Sequence, residues 1–363
     1  MTALKINKKV VLEAVFLLGI IALTLYSIFH EQDPAAIWAC LRGADIRYLI
    51  GSIFLVLAFV LGESVILWWL FRTSGQKAKA SHCCLYSFVG FFFSAITPSA
   101  SGGQPMQLYF MKKDKLPLSV STLILLIVTI TYKMVLVVLG LVVLVIRPPV
   151  VMHYLNPILF WCYLGIILNV ICVWVMLALV FHPDWMHRMV AAMLDFVTRI
   201  FHWKRGIKLR ERLDGAMEKY SQAAAFFKSH KIIVLQVLVI TFLQRGCLFL
   251  VTVAACRSLG VTAGSIGLIV LLQGMISVAV DMLPFPGGVG ISEALFLRIF
   301  TPLCGGTLAL PVLIVSRGIS YYTQLVICGI MSIFAYIKIG RQLFREKTAM
   351  AAQTMWAVDN LED

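Results

Sequence analysis

Charged residues are what this sequence has least of. Of its 363 residues only 13% are Asp, Glu, Lys or Arg, while 61% are hydrophobic and the mean hydropathy is +0.93. A soluble domain carries about 25% charged and about 45–50% apolar residues, so a water-soluble fold is excluded. Acidic residues are the scarcest, 17 against 31 Lys and Arg, a formal net charge of +14. In a soluble chain that excess points to nucleic acid. In one this apolar it reports orientation in a membrane, and no nucleic-acid partner is expected.

Catalytic signatures are missing too. There is no HExxH, GxSxG or Walker loop, and no polar stretch large enough to hold a nucleotide or a tRNA. Asp281 and Glu293 as an intramembrane acid/base pair are the one enzymatic reading left, and it has no other support in the residues. The nine cysteines, among them Cys83, Cys84, Cys162, Cys172, Cys247 and Cys328, form no CxxC pair and no histidine-interleaved set. They read as packing residues, so no disulfide framework, metal site or cofactor is expected.

What is present is a series of long apolar runs. A bilayer-spanning helix needs about 20 apolar residues. Val10–Phe29, Tyr48–Phe71, Leu116–Ile146, Ile158–Phe181, Ile232–Ala255 and Leu308–Ile337 satisfy this. Lys5, Lys8 and Lys9 ahead of the first run imitate a signal peptide. The run is too long and no small-x-small site follows it, so a retained span is expected.

Two further runs are broken. Cys83–Thr97 stops at a segment holding Pro98, Gly102, Gly103 and Pro105, and resumes as far as Met111. Ile266–Leu283 stops at Pro284, Pro286, Gly287, Gly288 and Gly290, and resumes through Ile291–Leu303.

The basic residues choose the topology, because cytoplasmic loops collect Lys and Arg. Residues 1–9, 72–79, 112–115, 182–231 and 338–347 hold 23 of them, whereas 30–47, 147–157 and 256–265 hold only Arg42, Arg47, Arg147 and Arg257. Both flanks of the first break are basic and both flanks of the second are not. The expected fold is therefore an all-α polytopic membrane protein with six spans, two re-entrant hairpins of opposite orientation and both termini cytoplasmic. Full crossings by the broken runs would put a basic flank outside.

Pro98 and Pro284 lie about 186 residues apart, each followed by a Gly-Gly pair, a short helix and a long span with one cation, Lys133 or Arg317. This predicts an inverted repeat with halves at 46–146 and 232–337 inside a single domain, 1–347. Paired broken segments point to a binding site near the bilayer midplane. The linker 182–231 is expected to carry an amphipathic helix, with Met189, Val190, Met193 and Val197 at helical spacing beside basic residues. Residues 348–363 read as a disordered tail.

Each charge within the hydrocarbon costs about 2.5–3.5 kcal/mol on insertion scales, so each needs a reason. Glu63, Lys133, Arg245, Asp281, Glu293, Arg298 and Arg317 are such residues, and pairing them leaves one positive charge over. The helix ends at Pro105 and at Gly290 are expected to offer free N–H groups and a positive dipole. Gln104, Gln107 and Tyr109 on one side, and Tyr321 and Tyr322 on the other, would add hydrogen bonds. Structural ion pairing is the competing reading, strongest for Glu63 and Arg245.

The stretches Ile96–Pro105 and Leu283–Glu293 resemble the two signature loops of the bacterial lysylphosphatidylglycerol synthase transmembrane region. That region is the flippase part of the multiple peptide resistance factor, and the resemblance covers nearly the whole chain. It implies movement of an aminoacylated phosphatidylglycerol or related charged lipid between leaflets of the bacterial inner membrane. Members append an aminoacyl-tRNA-dependent transferase, which this chain is expected to lack. Gln104 and Gln107 stand where members have acidic and arginine residues. A secondary transporter of a small anionic solute and a scaffold for a separately encoded transferase remain as alternatives. Gly-rich spans also allow self-association.

Overall fold

The computed structural model describes residues 38–338, except for residues 40, 98–99, 183, 186–187, 189–191, 193–205, 284, 286–287 and 289, and side chains are mostly not described over 206–219. The first expected span, most of the amphipathic segment, the tail, and Pro98, Pro284, Pro286 and Gly287 lie outside the described residues. The described residues are all-helical. The elements are α1 (Ile46–Thr73), α2 (Ala80–Ile96), α3 (Gly103–Lys113), α4 (Leu118–Ile146), α5 (Pro149–Leu155), α6 (Leu159–Phe181), α7 (Gly206–Ser229), α8 (Lys231–Ser258), α9 (Ile266–Val280), α10 (Ile291–Cys304) and α11 (Ala309–Lys338).

Five helical stretches are long and apolar enough to cross a membrane: α1, α4, the continuous Pro149–Phe181, α8 and α11. Their outward faces carry large apolar side chains such as Phe54, Ile146, Trp174, Leu243 and Phe334. Water would not tolerate so much exposed apolar surface, and acyl chains match it. The chain is a multi-pass membrane protein. The sequence of short helix, break, short helix and long helix occurs twice, as α2–α3–α4 and as α9–α10–α11.

Local chemistry sets the ends of these helices. Asp45 accepts a 2.9 Å hydrogen bond from the Arg47 N–H to cap α1, and its own N–H donates to Ser258 O at 2.8 Å, joining α1 to the end of α8. Ser265 Oγ caps α9 by accepting from the Leu268 N–H at 3.2 Å. Proline 117 fixes the entry to α4, two residues later than the apolar run alone suggested. Helix α11 contains a π turn over Gly318–Thr323 that apolar patterning does not reveal.

The described residues form a small apolar cluster of Phe59, Val60, Phe88 and Cys328 and two large apolar cores. One is built from α1, α2, α3, α7 and the first half of α4, the other from α5, α6, α9, α10 and α11, with α4 and α8 contributing to both. The α7 end of the linker docks on the first core through buried Tyr220, Ala224 and Phe227, and Lys228 Nζ donates to Phe181 O at 2.7 Å.

Helices α6 and α9 meet backbone to backbone at Gly165, where a Cβ would lie 2.2 Å from Val278 O. No rotamer change relieves a clash with a carbonyl. Gly165→Val is therefore expected to lose about 1–3 kcal/mol by overpacking. Thermal unfolding in detergent should place its Tm well below wild type, while Gly51→Val, where nothing lies within 4 Å, should match wild type.

Candidate functional site

The two breaks face one cavity. It has a volume of about 260 Å3 and takes Ser94, Ala95 and Ala100 from the first break, and Leu283, Phe285 and Gly288 from the second. Tyr321 Oη in the π turn of α11 donates to Ala95 O at the end of α2, at 3.0 Å, and so joins α11 to α2 at the cavity wall.

One ion cluster forms at the C-terminal end of α9, where the helix dipole favours cations. Asp281 ends α9, and its Oδ2 accepts a 2.7 Å hydrogen bond from Lys133 Nζ of α4. Lys133 also approaches Met282 Sδ at 2.9 Å and Asn169 Oδ1 at 3.4 Å. Arg245 Nη2 of α8 lies 3.7 Å from Asp281 Oδ1, beyond hydrogen-bond range. The guanidinium stacks on Tyr132 with 3.3 Å from Cζ to the ring centroid. Arg245 is 3% exposed and lines the cavity, yet its Nε and Nη2 find no hydrogen-bond partner among the described residues. The buried Gln273 Oε1, also on the cavity wall, finds none either.

A second pair sits at the start of α10, where the dipole favours an anion. Glu293 Oε1 accepts from Arg317 Nε at 2.7 Å, and its Oε2 accepts from Ser292 Oγ at 3.0 Å and from the Gly290 N–H at 2.7 Å. Arg317 Nη2 also donates to Ser292 Oγ. Gly290 makes this turn with φ +92°, a conformation that favours glycine.

Around the cavity three cations, Lys133, Arg245 and Arg317, face two carboxylates, Asp281 and Glu293. Among the described residues one positive charge remains over. The expected free N–H groups are partly occupied: Gly290 donates to Glu293, and Gly102 donates to Thr97 Oγ1 at 2.8 Å. Pro105 falls in the first turn of α3 rather than at its first position, where its missing N–H still costs no helical bond.

Other sequence-selected residues lie elsewhere. Gln104 bonds Thr129 Oγ1 and holds α3 on α4, and Gln107 bonds Glu63 Oε1 at 2.6 Å. Tyr109 is exposed and stacks with Lys113 at 4.5 Å, and Tyr322 is exposed beside Tyr321. Arg298 is on the exposed face of α10. Sequence reasoning passed over Tyr132, Asn169 and Gln273. A lone amide inside the apolar α9 was the available signal for Gln273.

A family model described as the lysylphosphatidylglycerol synthase TM region matches residues 10–328. The chain belongs to that family. No curated protein matches it. The family match spans both breaks and every residue of the two ion clusters. It ties this membrane protein to the lipids of the lysylphosphatidylglycerol family.

Proposed function

We propose that the protein moves a charged phospholipid between the leaflets of the bacterial inner membrane, the headgroup passing through the cavity while the acyl chains stay in the bilayer. In this reading α2–α3 and α9–α10 are re-entrant hairpins entering from opposite sides, the halves 46–146 and 232–337 form an inverted repeat, and both termini are cytoplasmic. The lipid is an aminoacylated phosphatidylglycerol or a relative, and its movement alters envelope charge and resistance to cationic peptides. No reaction is catalysed.

The observation that carries this reading is the cavity between the breaks, with its surplus cation. At about 260 Å3 it is smaller than the roughly 300–1,000 Å3 of pockets that enclose whole ligands, so it suits a headgroup without its chains. The unpartnered donors of Arg245 suit phosphate oxygens, and the unpartnered Gln273 Oε1 suits a hydroxyl or ammonium of the same headgroup.

The test is reconstitution in vesicles with a fluorescent phosphatidylglycerol whose outer-leaflet fraction is bleached by a membrane-impermeant reductant. Wild-type vesicles should bleach beyond the outer-leaflet fraction. Arg317→Gln/Glu293→Gln, which removes both charges together and leaves neither unpaired, should bleach at least about tenfold more slowly, a loss of roughly 1.4 kcal/mol in barrier terms. Wild-type vesicles indistinguishable from protein-free ones would sink the reading.

A further inference from the structure

Among the described residues three carboxylates are held within the membrane-crossing architecture, and of these Asp281 and Glu293 have cationic partners and Glu63 does not. Glu63 lies near the middle of the 28-residue α1. Among the described residues no Lys, Arg or His nitrogen comes within 4.0 Å of it. Its hydrogen-bond partner is a neutral amide, Gln107 Nε2, at 2.6 Å from Oε1. That amide is itself fixed: it donates to Tyr86 O at 3.2 Å, and Gly90 of α2 leaves it room, since a Cβ there would lie 2.3 Å from Nε2. The pocket is built for a carboxyl group and supplies no counter-charge.

The groups that meet α1 around Glu63 are mostly neutral, and the charged ones nearby, Arg245 of α8 and Lys338 of α11, do not come within 4.0 Å of its carboxylate. Helix α2 brings Cys84, α3 brings Gln107, α4 brings Tyr132, and α11 brings Cys328. Helix α8 brings Arg245, whose guanidinium lies on the Tyr132 ring and is 3.7 Å from Asp281 Oδ1. Tyr132 is within electrostatic reach of Glu63, Arg245 and Asp281 alike. Through the Gln107 hydrogen bond the state of Glu63 is felt at the helix that follows the first break.

We propose that Glu63 is the proton-carrying group that couples lipid movement to a proton gradient. The inference rests on the translocation reading. A proton enters the carboxylate from one side, the neutral acid tolerates the low-dielectric state of the cycle, and the proton leaves on the other side, with no bond formed or broken other than O–H. An unpaired carboxylate partly buried inside an apolar span is costly to ionise, whereas its acid form keeps the Gln107 hydrogen bond.

The experiment uses the full chain in vesicles containing fluorescent phosphatidylglycerol, with a trapped pH dye and the membrane potential clamped. A difference of one pH unit should shift the final leaflet ratio by up to about tenfold for one proton per lipid. Proton entry should accompany the shift. Glu63→Gln should exchange lipid without a gradient as wild type does, yet ignore the gradient, and Glu63→Asp should restore the response. A wild-type lipid distribution indifferent to the gradient, or a Glu63→Gln protein that responds like wild type, would overturn the coupling and leave translocation standing. Vesicles in which no lipid moves in any arm would overturn translocation and the coupling with it, so the two failures read differently.

Discussion

Asp281→Ala is expected to yield little folded protein. Asp281 is the carboxylate that answers both Lys133, at 2.7 Å, and Arg245, at 3.7 Å. Removing it leaves two cations in a low-dielectric interior, and breaking a buried pair by deleting one partner costs about 3–5 kcal/mol. Against total stabilities of roughly 5–15 kcal/mol that is a large share. Size-exclusion profiles and thermal unfolding in detergent should show aggregation or a steep fall in Tm. The triple variant Asp281→Leu/Lys133→Met/Arg245→Met should recover a monodisperse profile, since a neutral cluster of similar volume carries no desolvation penalty. An Asp281→Ala protein as stable as wild type would show that the two cations are screened by other groups, and the ion-cluster account would fail.

The parts of this fold that were legible in the sequence are those the bilayer dictates. Spans such as α1 and α8 must be apolar over about 20 residues because no water reaches their backbones. The breaks at Gly102 and Gly290 were legible because several Pro and Gly fall together there, and a cluster of them interrupts the helical hydrogen bonds where a single one is absorbed. Which charges meet was not legible. Lys133 and Asp281 are 148 positions apart, and only the packing of α4 on α9 brings them together.

Some misplacements were avoidable from helix geometry alone. Gln107 and Tyr109 are two residues apart on α3 and cannot share a face, so one points to Glu63 and the other outward. Arg298 is five residues beyond Glu293, about 140° round the helix, and so cannot join it at the cavity. The π turn over Gly318–Thr323 is a different case. It shifts the register of α11 just past Arg317 and carries Tyr321 to Ala95, and Gly318 alone does not announce it.

Arg245→Met is expected to separate stability from transport. The arginine is buried at 3% exposure, and neither Nε nor Nη2 is hydrogen-bonded, so the folded protein carries its desolvation cost with little return. Methionine fills similar volume, keeps contact with Tyr132, and leaves Asp281 paired with Lys133 at 2.7 Å. Unfolding should therefore occur at a Tm equal to or above that of wild type. Transport should move the other way. The cavity's charge falls from one positive to neutral, and a cation near a phosphate is worth about 4 kcal/mol at 4 Å with an effective dielectric of 20. Losing even a third of that slows headgroup passage by about tenfold. Measured side by side, lipid bleaching in vesicles and thermal unfolding should show a slow but stable Arg245→Met protein. A variant that is unstable and slow would assign Arg245 to the scaffold. One that is stable and as fast as wild type would remove it from the headgroup path, and the account resting on a surplus cation would fail.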